Sequence, residues 1–179
     1  LGITSRAFYT NTLGPFLQKL LNMSGLEVAL PMNTGAEAVE TAIKAARRWA
    51  YKTKKVEENK AEIIVVEGNF HGRTTTIISF SSDNESREGF GPYTPGFKTI
   101  KYNNIGSLKD AITKNTAALL VEPIQGEAGI IIPDREWLPE VRKICTENNI
   151  LLILDEIQSG LGRTGKMFAF EHSSIKPDG

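Results

Sequence analysis

The stretch LLILDEIQSGLGRTGK, residues 151–166, runs an apolar segment into two adjacent acids and then into a glycine-rich turn that ends on a lysine. A short, continuously apolar run bounded by polar residues reads as a strand buried on both faces, the kind that parallel sheets use. Ligands of such sheets bind beyond the carboxyl ends of the strands, so Asp155 and Glu156 stand where chemistry is expected. Two phosphate-binding patterns can be laid on the turn. A G-x-G-x-x-G fingerprint fits Gly160, Gly162 and Gly165, but DEIQS separates it from the strand, and the KMFAFEHSSIKPDG that follows lacks the period of the required helix. A G-x-x-x-x-G-K loop fits Gly160 to Lys166, but Met167 stands where a magnesium-binding hydroxyl is needed. There, too, the acid-ended strand precedes the loop instead of following it. A nucleotide hydrolase is therefore a remote alternative. Asp155, at the end of a wholly apolar run, is read as a half-buried carboxylate that needs a cationic partner. No neighbouring lysine or arginine supplies one; a cofactor with a cationic ring would.

Working outward, further strand-like runs lie at residues 27–30, 62–67, 75–80 and 117–122, with the present one spanning 150–155. Helical periods cover residues 5–23, 35–54, 105–114 and 135–148. This alternation predicts an α/β fold, a mainly parallel sheet with helices on both faces. Residues 81–96, SSDNESREGFGPYTPG, read as a long loop covering a site or a subunit contact.

The chain has 179 residues, 40% hydrophobic and 23% charged, with 21 basic and 21 acidic side chains. That is the composition of a globular domain whose charge balance attracts neither nucleic acid nor an anionic membrane, and no apolar run approaches a membrane-spanning length. Runs such as KTKK at 52–55 read as solvated helix ends. The single cysteine, Cys145, is in phase with Leu138, Val141 and Ile144, which predicts core packing, and a lone thiol fits a reducing compartment. His71 and His172 are too scattered for a metal site, so none is expected.

Three other segments carry candidate chemistry. In VALPMNTGAEAVETAIKAARRWAYK, residues 28–52, Thr34 and Glu37 have capping-box spacing, and Gly35 lets the backbone approach a ligand at a helix N-terminus suited to phosphate. In EGNFHGRTTTIISF, Phe70 could stack on a flat cofactor and Arg73 could bind a carboxylate; a core phenylalanine and a surface arginine fit equally well. In VEPIQGEAGI, Glu122 and Glu127 flank a turn as paired acids, or as partners of an amine or an arginine.

Six segments, SRAFYTNTLG (5–14), LPMNTGAEAVETAIKAARRW (30–49), GNFHGRT (68–74), GFGPYTPGF (89–97), VEPIQGEAGI (121–130) and LDEIQSGLGRTGKMFAFEH (154–172), together resemble the class III pyridoxal-phosphate-dependent aminotransferases of fold type I, most closely their ornithine branch. The resemblance implies transfer of the side-chain amine of ornithine to 2-oxoglutarate, giving glutamate and glutamate semialdehyde or its cyclic form, pyrroline carboxylate. Acetylornithine or another ω-amino donor is the alternative within the family, and an inactive binding protein the alternative outside it. It implies pyridoxal 5'-phosphate as cofactor, a homodimer, and no nucleic-acid or membrane partner. The cytoplasm is the preferred compartment, ahead of the mitochondrial matrix. By the same resemblance Thr34, Gly35 and Ala36 would hold the phosphate, Phe70 would stack on the ring, Asp155 would pair with the ring nitrogen and Gln158 would bind the ring oxygen. Arg73 would grip a substrate carboxylate, with Glu122 and Glu127 in the substrate region. The family's Schiff-base lysine comes later than the glycine turn, which makes Lys166 a bystander. Residues 1–179 are then expected to be part of the cofactor-binding large domain. The N-terminal segment, the lysine region and the small C-terminal domain would lie outside them.

Overall fold

In the computed structural model, which describes residues 8–179, the apolar runs assemble into β1 (Glu62–Val66), β2 (Phe97–Ile100), β3 (Thr116–Val121) and β4 (Leu151–Leu154). They form one sheet in the order β2-β1-β3-β4, every neighbour parallel, with Val66 opposite Ile100, Ile64 opposite Leu119 and Val121 opposite Leu154. The helices are α1 (Leu13–Ser24), α2 (Gly35–Trp49), α3 (Ile105–Ala111) and α4 (Trp137–Glu147). Parallel neighbours cannot be joined by hairpins, and α3 and α4 carry the crossovers from β2 to β3 and from β3 to β4.

Alternate strand residues face opposite layers, as the period of two requires. Ile64, Val66, Leu119, Val121, Leu152 and Leu154 pack with Leu108 of α3 and with Leu138, Val141, Ile144 and Cys145 of α4. On the other face Ile63, Val65, Ala118 and Leu120 pack with Val39, Ile43 and Ala46 of α2 and with Ile77 and Phe80. Every residue of β3 is buried, which explains its unbroken apolar reading. The α/β expectation and the core position of Cys145 hold.

The chain divides into two units, Leu1–Pro31 and Met32–Gly179. In the first, α1 ends on Gly25, which adopts a left-handed conformation and donates its N–H to Leu21 O at 2.8 Å. Residues 5–7, the beginning of the helix expected over 5–23 and of the SRAFYTNTLG segment, lie outside the described residues.

Two expectations about strands need correction. Residues 27–30 form no strand: Val28 and Leu30 are exposed, and among the described residues no segment pairs with them, so their amides gain nothing from an extended ladder. Residues 75–80 contain instead a 3-10 helix, Ile77–Phe80. Thr74 turns the chain there, its Oγ1 accepting the Ile77 N–H at 3.1 Å and its carbonyl accepting the Ile78 N–H at 2.9 Å. This buries Ile77, Ile78 and Phe80, three side chains that one face of an alternating strand could not bury together. Conversely FKTI is the edge strand β2, too short and too polar for hydrophobic patterning to reveal. The helix expected over 35–54 is continuous, but its last turn, Ala50–Lys54, widens to a π-helix.

β1 and β3 are adjacent, yet the chain leaves β1 toward β2 on one side and leaves β3 toward β4 on the other. The connections therefore diverge above the carboxyl ends of β1 and β3, which opens a crevice there.

Candidate active site

The segments that follow β1, β3 and β4 meet at this crevice, joined by the start of α2. Thr34 caps α2 in extended backbone, φ −140° and ψ 163°, its Oγ1 accepting the Glu37 N–H at 3.2 Å. Glu37 Oε2 accepts the N–H groups of Thr34 at 3.0 Å and Asn33 at 2.8 Å, completing the expected capping box. Gly35 and Ala36 occupy the first turn, where amides have no intrahelical acceptor and the helix dipole is positive. A Cβ on Gly35 would stand 2.8 Å from Ile157 Cδ1, so the glycine lets α2 approach the segment beyond β4.

Beyond β4, the Asp155 side chain is 5% exposed. Its Oδ1 accepts the Ile157 N–H at 3.1 Å, and its Oδ2 lies 2.7 Å from Nδ1 of His71, which follows β1. The cationic or donor partner that Asp155 needs is therefore partly supplied from 84 positions away. The acid next to it does different work: Glu156 accepts N–H groups from Ala169 at 2.8 Å and Phe170 at 2.9 Å, capping the 3-10 helix Ala169–Ser173.

Glu122, beyond β3, is buried, and its Oε2 accepts the Phe70 N–H at 3.0 Å. Burial pushes its carboxyl above the usual range and the Asp155 charge adds to this, while the Phe70 amide opposes it. Tyr102 fixes this segment, its hydroxyl donating to the carbonyls of Glu122 at 3.2 Å and Pro123 at 3.1 Å. Burial, then the Glu122 charge, holds that phenol protonated well past its ordinary value.

The following hairpin is closed by reciprocal backbone bonds between Gln125 and Ile131, 3.0 and 2.9 Å long, and the buried Gln125 amide is anchored on Glu67 O at 2.8 Å. Gly126 and Glu127 project from this rigid base. Gln158 Nε2 donates to Glu127 Oε1 at 3.3 Å, and a Cβ on Gly126 would lie 2.2 Å from Gln158 Oε1.

Two adjoining cavities result, sharing the Phe70–His71–Gly72 wall. One, of about 230 Å³, is lined by Gly35, Ala36, Glu122, Asp155 and Gln158. The other, of about 320 Å³, is lined by Arg73, Asp83, Ser86 and Glu127. The Arg73 guanidinium lies 5.8 Å from the Phe70 ring centroid. The Ser86 hydroxyl, then the Glu85 amide, hold Asp83 below the usual carboxylate range, with the Arg73 charge adding to the effect. Part of the 81–96 loop therefore borders the second cavity. Glu122 sits with Asp155, not with Arg73 and Glu127. Thr34 acts behind the first cavity by capping α2, and the exposed Lys166 lines neither.

The first cavity fits a flat, phosphate-bearing cationic ring. Free amides at a helix start suit an anion, an aromatic wall suits a ring, a buried carboxylate suits a protonated ring nitrogen, and an amide suits a polar substituent. Hydrophobic patterning missed His71, Gln125 and Tyr102. The Asn-Phe-His-Gly run at a strand end was the one available signal for His71.

Residues 1–178 match the family model described as aminotransferase class-III. The ornithine aminotransferase of Brevibacillus brevis is 64% identical over 176 residues, a match covering 98% of this chain and 44% of that protein. Among solved structures, the ornithine aminotransferase of Toxoplasma gondii ME49 superposes with a TM-score of 0.94 at 44% identity, covering 98% of this chain and 42% of that one. A second structure of the Toxoplasma gondii enzyme is described as showing partial occupancy of PLP at its active site. The acetylornithine aminotransferase of Elizabethkingia anophelis gives a TM-score of 0.80 at 42% identity, covering 98% of this chain and 40% of that one. The chain thus spans less than half the length of the curated relatives it matches.

Proposed function

The chain belongs to the aminotransferase class-III family, and from that premise we propose that it is part of the cofactor-binding large domain of an ornithine δ-aminotransferase. The reaction would move the side-chain amine of ornithine to 2-oxoglutarate, with pyridoxal 5'-phosphate as cofactor. The observation that carries this reading is the convergence of Gly35, Ala36, Phe70, Asp155 and Gln158, from distant parts of the chain, on one cavity.

When bound, pyridoxal phosphate supplies a protonated ring that accepts the electron pair left as a substrate C–H bond breaks. The chain's own residues would hold and tune it. The Gly35 and Ala36 amides, on a helix start fixed by Thr34, would bind the phosphate. Phe70 would stack on the ring, although Arg73 already lies near its own ring. Asp155 would keep the proton on the ring nitrogen, because a buried carboxylate favours the cationic form beside it. Gln158 would donate a hydrogen bond to the ring oxygen from a side chain poised against Glu127. In the adjoining cavity Arg73 would bind a substrate carboxylate bidentately. Glu127 would face the substrate from the other wall. Glu122 would shape the wall between substrate and cofactor through the Phe70 amide. The covalent lysine, the small domain and the second subunit of a homodimer belong to the same reading and would lie outside these residues. A cytoplasmic location belongs to it as well, in keeping with the bacterial sources of the similar proteins.

The test uses the intact polypeptide that carries these residues. Ornithine and 2-oxoglutarate should yield glutamate and pyrroline carboxylate. Turnover of acetylornithine but not ornithine would move the substrate assignment to the acetylated donor. Asp155→Ala should abolish transamination while leaving pyridoxal phosphate detectable on the protein, and normal turnover in that variant would overturn the site assignment.

A further inference from the structure

We propose that His71 is a positioning residue for Asp155: as a neutral imidazole carrying its hydrogen on Nδ1, it locks the carboxylate in place while leaving the negative charge free for a cation in the cavity. The proposal deepens the reading above and rests on it for the identity of that cation.

The His71 side chain is fully buried and Asp155 nearly so, with 2.7 Å between Nδ1 and Oδ2. Asp155 is held from both sides, Oδ1 by the Ile157 N–H at 3.1 Å and Oδ2 by His71. Rotation of the carboxylate would break one bond or the other. An ionised carboxylate only accepts, so a contact this short requires the hydrogen on Nδ1.

The second nitrogen decides the charge. His71 Nε2 is buried and has no hydrogen-bond partner among the described residues. An imidazolium would leave a charged N–H donor buried and unmatched there. A neutral ring leaves only an unused lone pair, a smaller loss than an unmatched charged donor. Among the described residues the other ionisable groups facing this point are Asp155 itself and Glu122, and Glu122 is directed at the Phe70 amide. Phe80 packs against the imidazole at a ring separation of 6.1 Å and supplies no acceptor.

This arrangement differs in kind from a salt bridge. A lysine or arginine in place of His71 would also orient Asp155, but it would cancel the charge that makes the cavity attractive to a protonated ring nitrogen. A neutral donor gives orientation without neutralisation. It plays the part that an orienting hydrogen bond plays behind a metal-binding histidine, with the roles of ring and carboxylate exchanged.

The experiment compares His71→Asn and His71→Leu with the unaltered intact polypeptide, freed of cofactor. In asparagine, Nδ2 is bonded to Cγ as Nδ1 is in histidine, so it returns one N–H to the same place; leucine returns none. Titration with pyridoxal 5'-phosphate, followed by protein fluorescence, should show binding weakened roughly tenfold to a hundredfold in His71→Leu, with most of the loss recovered in His71→Asn. Equal weakening in both variants would reduce His71 to a packing residue and overturn the proposal. Independently, the nitrogen-15 spectrum of the cofactor-free wild type should show His71 as the neutral Nδ1–H tautomer, its signals assigned by their loss in His71→Asn. An imidazolium, or the Nε2–H tautomer, would overturn the proposal even if His71→Leu fails to fold. Wild type that binds no pyridoxal phosphate would sink the proposed function alone, because the tautomer is read without cofactor.

Discussion

Replacing Gly126 by alanine tests whether Gln158 is positioned by the hairpin that faces it. The added Cβ would lie 2.2 Å from Gln158 Oε1 and 2.9 Å from its Cδ. Carbon and oxygen atoms approach without strain to about 3.3 Å, so the carboxamide must retreat by roughly 1 Å. The Gln158–Glu127 hydrogen bond is already 3.3 Å long and does not survive such a displacement. A hydrogen bond from Gln158 to a charged ring oxygen would be lost as well, about 1.5–3 kcal/mol or roughly tenfold to a hundredfold in affinity. The assay is equilibrium titration of cofactor-free protein with pyridoxal 5'-phosphate. Gly126→Ala and Gln158→Ala should weaken binding by similar factors, and the double variant should be no worse than either, because removing the carboxamide removes the clash. Unchanged affinity in Gly126→Ala, or penalties that add in the double variant, would refute the reasoning. Thermal stability should change little, since the displaced side chain is exposed.

Other outcomes follow from the same structure. Because burial raises the Glu122 carboxyl above its ordinary value of 4.5, the folded chain holds that proton more tightly than the unfolded chain. Its contribution to stability is fully present below 4.5 and is lost as the pH rises through the raised value. Glu122→Gln keeps an acceptor for the Phe70 amide, so its stability relative to wild type should climb over that interval in urea melts of cofactor-free protein; a difference independent of pH would contradict this. Thr34→Ala should lower stability by about 1 kcal/mol through loss of the α2 cap, read in the same melts. It should also weaken cofactor binding if α2 presents the phosphate site. The Cys145 thiol is buried and pushed up to about 12, chiefly by that burial, so thiol reagents should leave native protein unlabelled and react on unfolding. Rapid labelling under native conditions would show that α4 opens.

Much of the fold was legible because burial leaves a local trace. β3 and β4 read as apolar runs and α4 as a period that includes Cys145, since sheet residues buried on both faces and helix residues buried on one must be apolar wherever they fall in sequence. The capping box at Thr34 and Glu37 was equally local, its partners being three positions apart. The segment at 75–80 misled because an apolar composition does not say whether a buried segment is extended or coiled. The segment at 27–30 misled because a strand depends on a neighbour that composition does not reveal. β2 escaped notice for the complementary reason: an edge strand is defined by its pairing with β1 more than by its own residues.

The candidate residues Gly35, Phe70, Arg73, Glu127 and Asp155 could be nominated from the chain's own pattern, as could the need of Asp155 for a partner, while Gln158 came from the family resemblance. What the chain alone left open was who stands next to whom. His71 meets Asp155 only because β1 and β4 flank β3 with their carboxyl ends aligned. Glu122 turns toward Phe70, and Glu127, only five positions further on, reaches Gln158 from the far side of the hairpin. Hydrophobic patterning is a property of each residue and its near neighbours, so sequence carries it directly. Hydrogen-bond partners at a sheet's end are chosen by strand order and register, and these exist only once the sheet has formed.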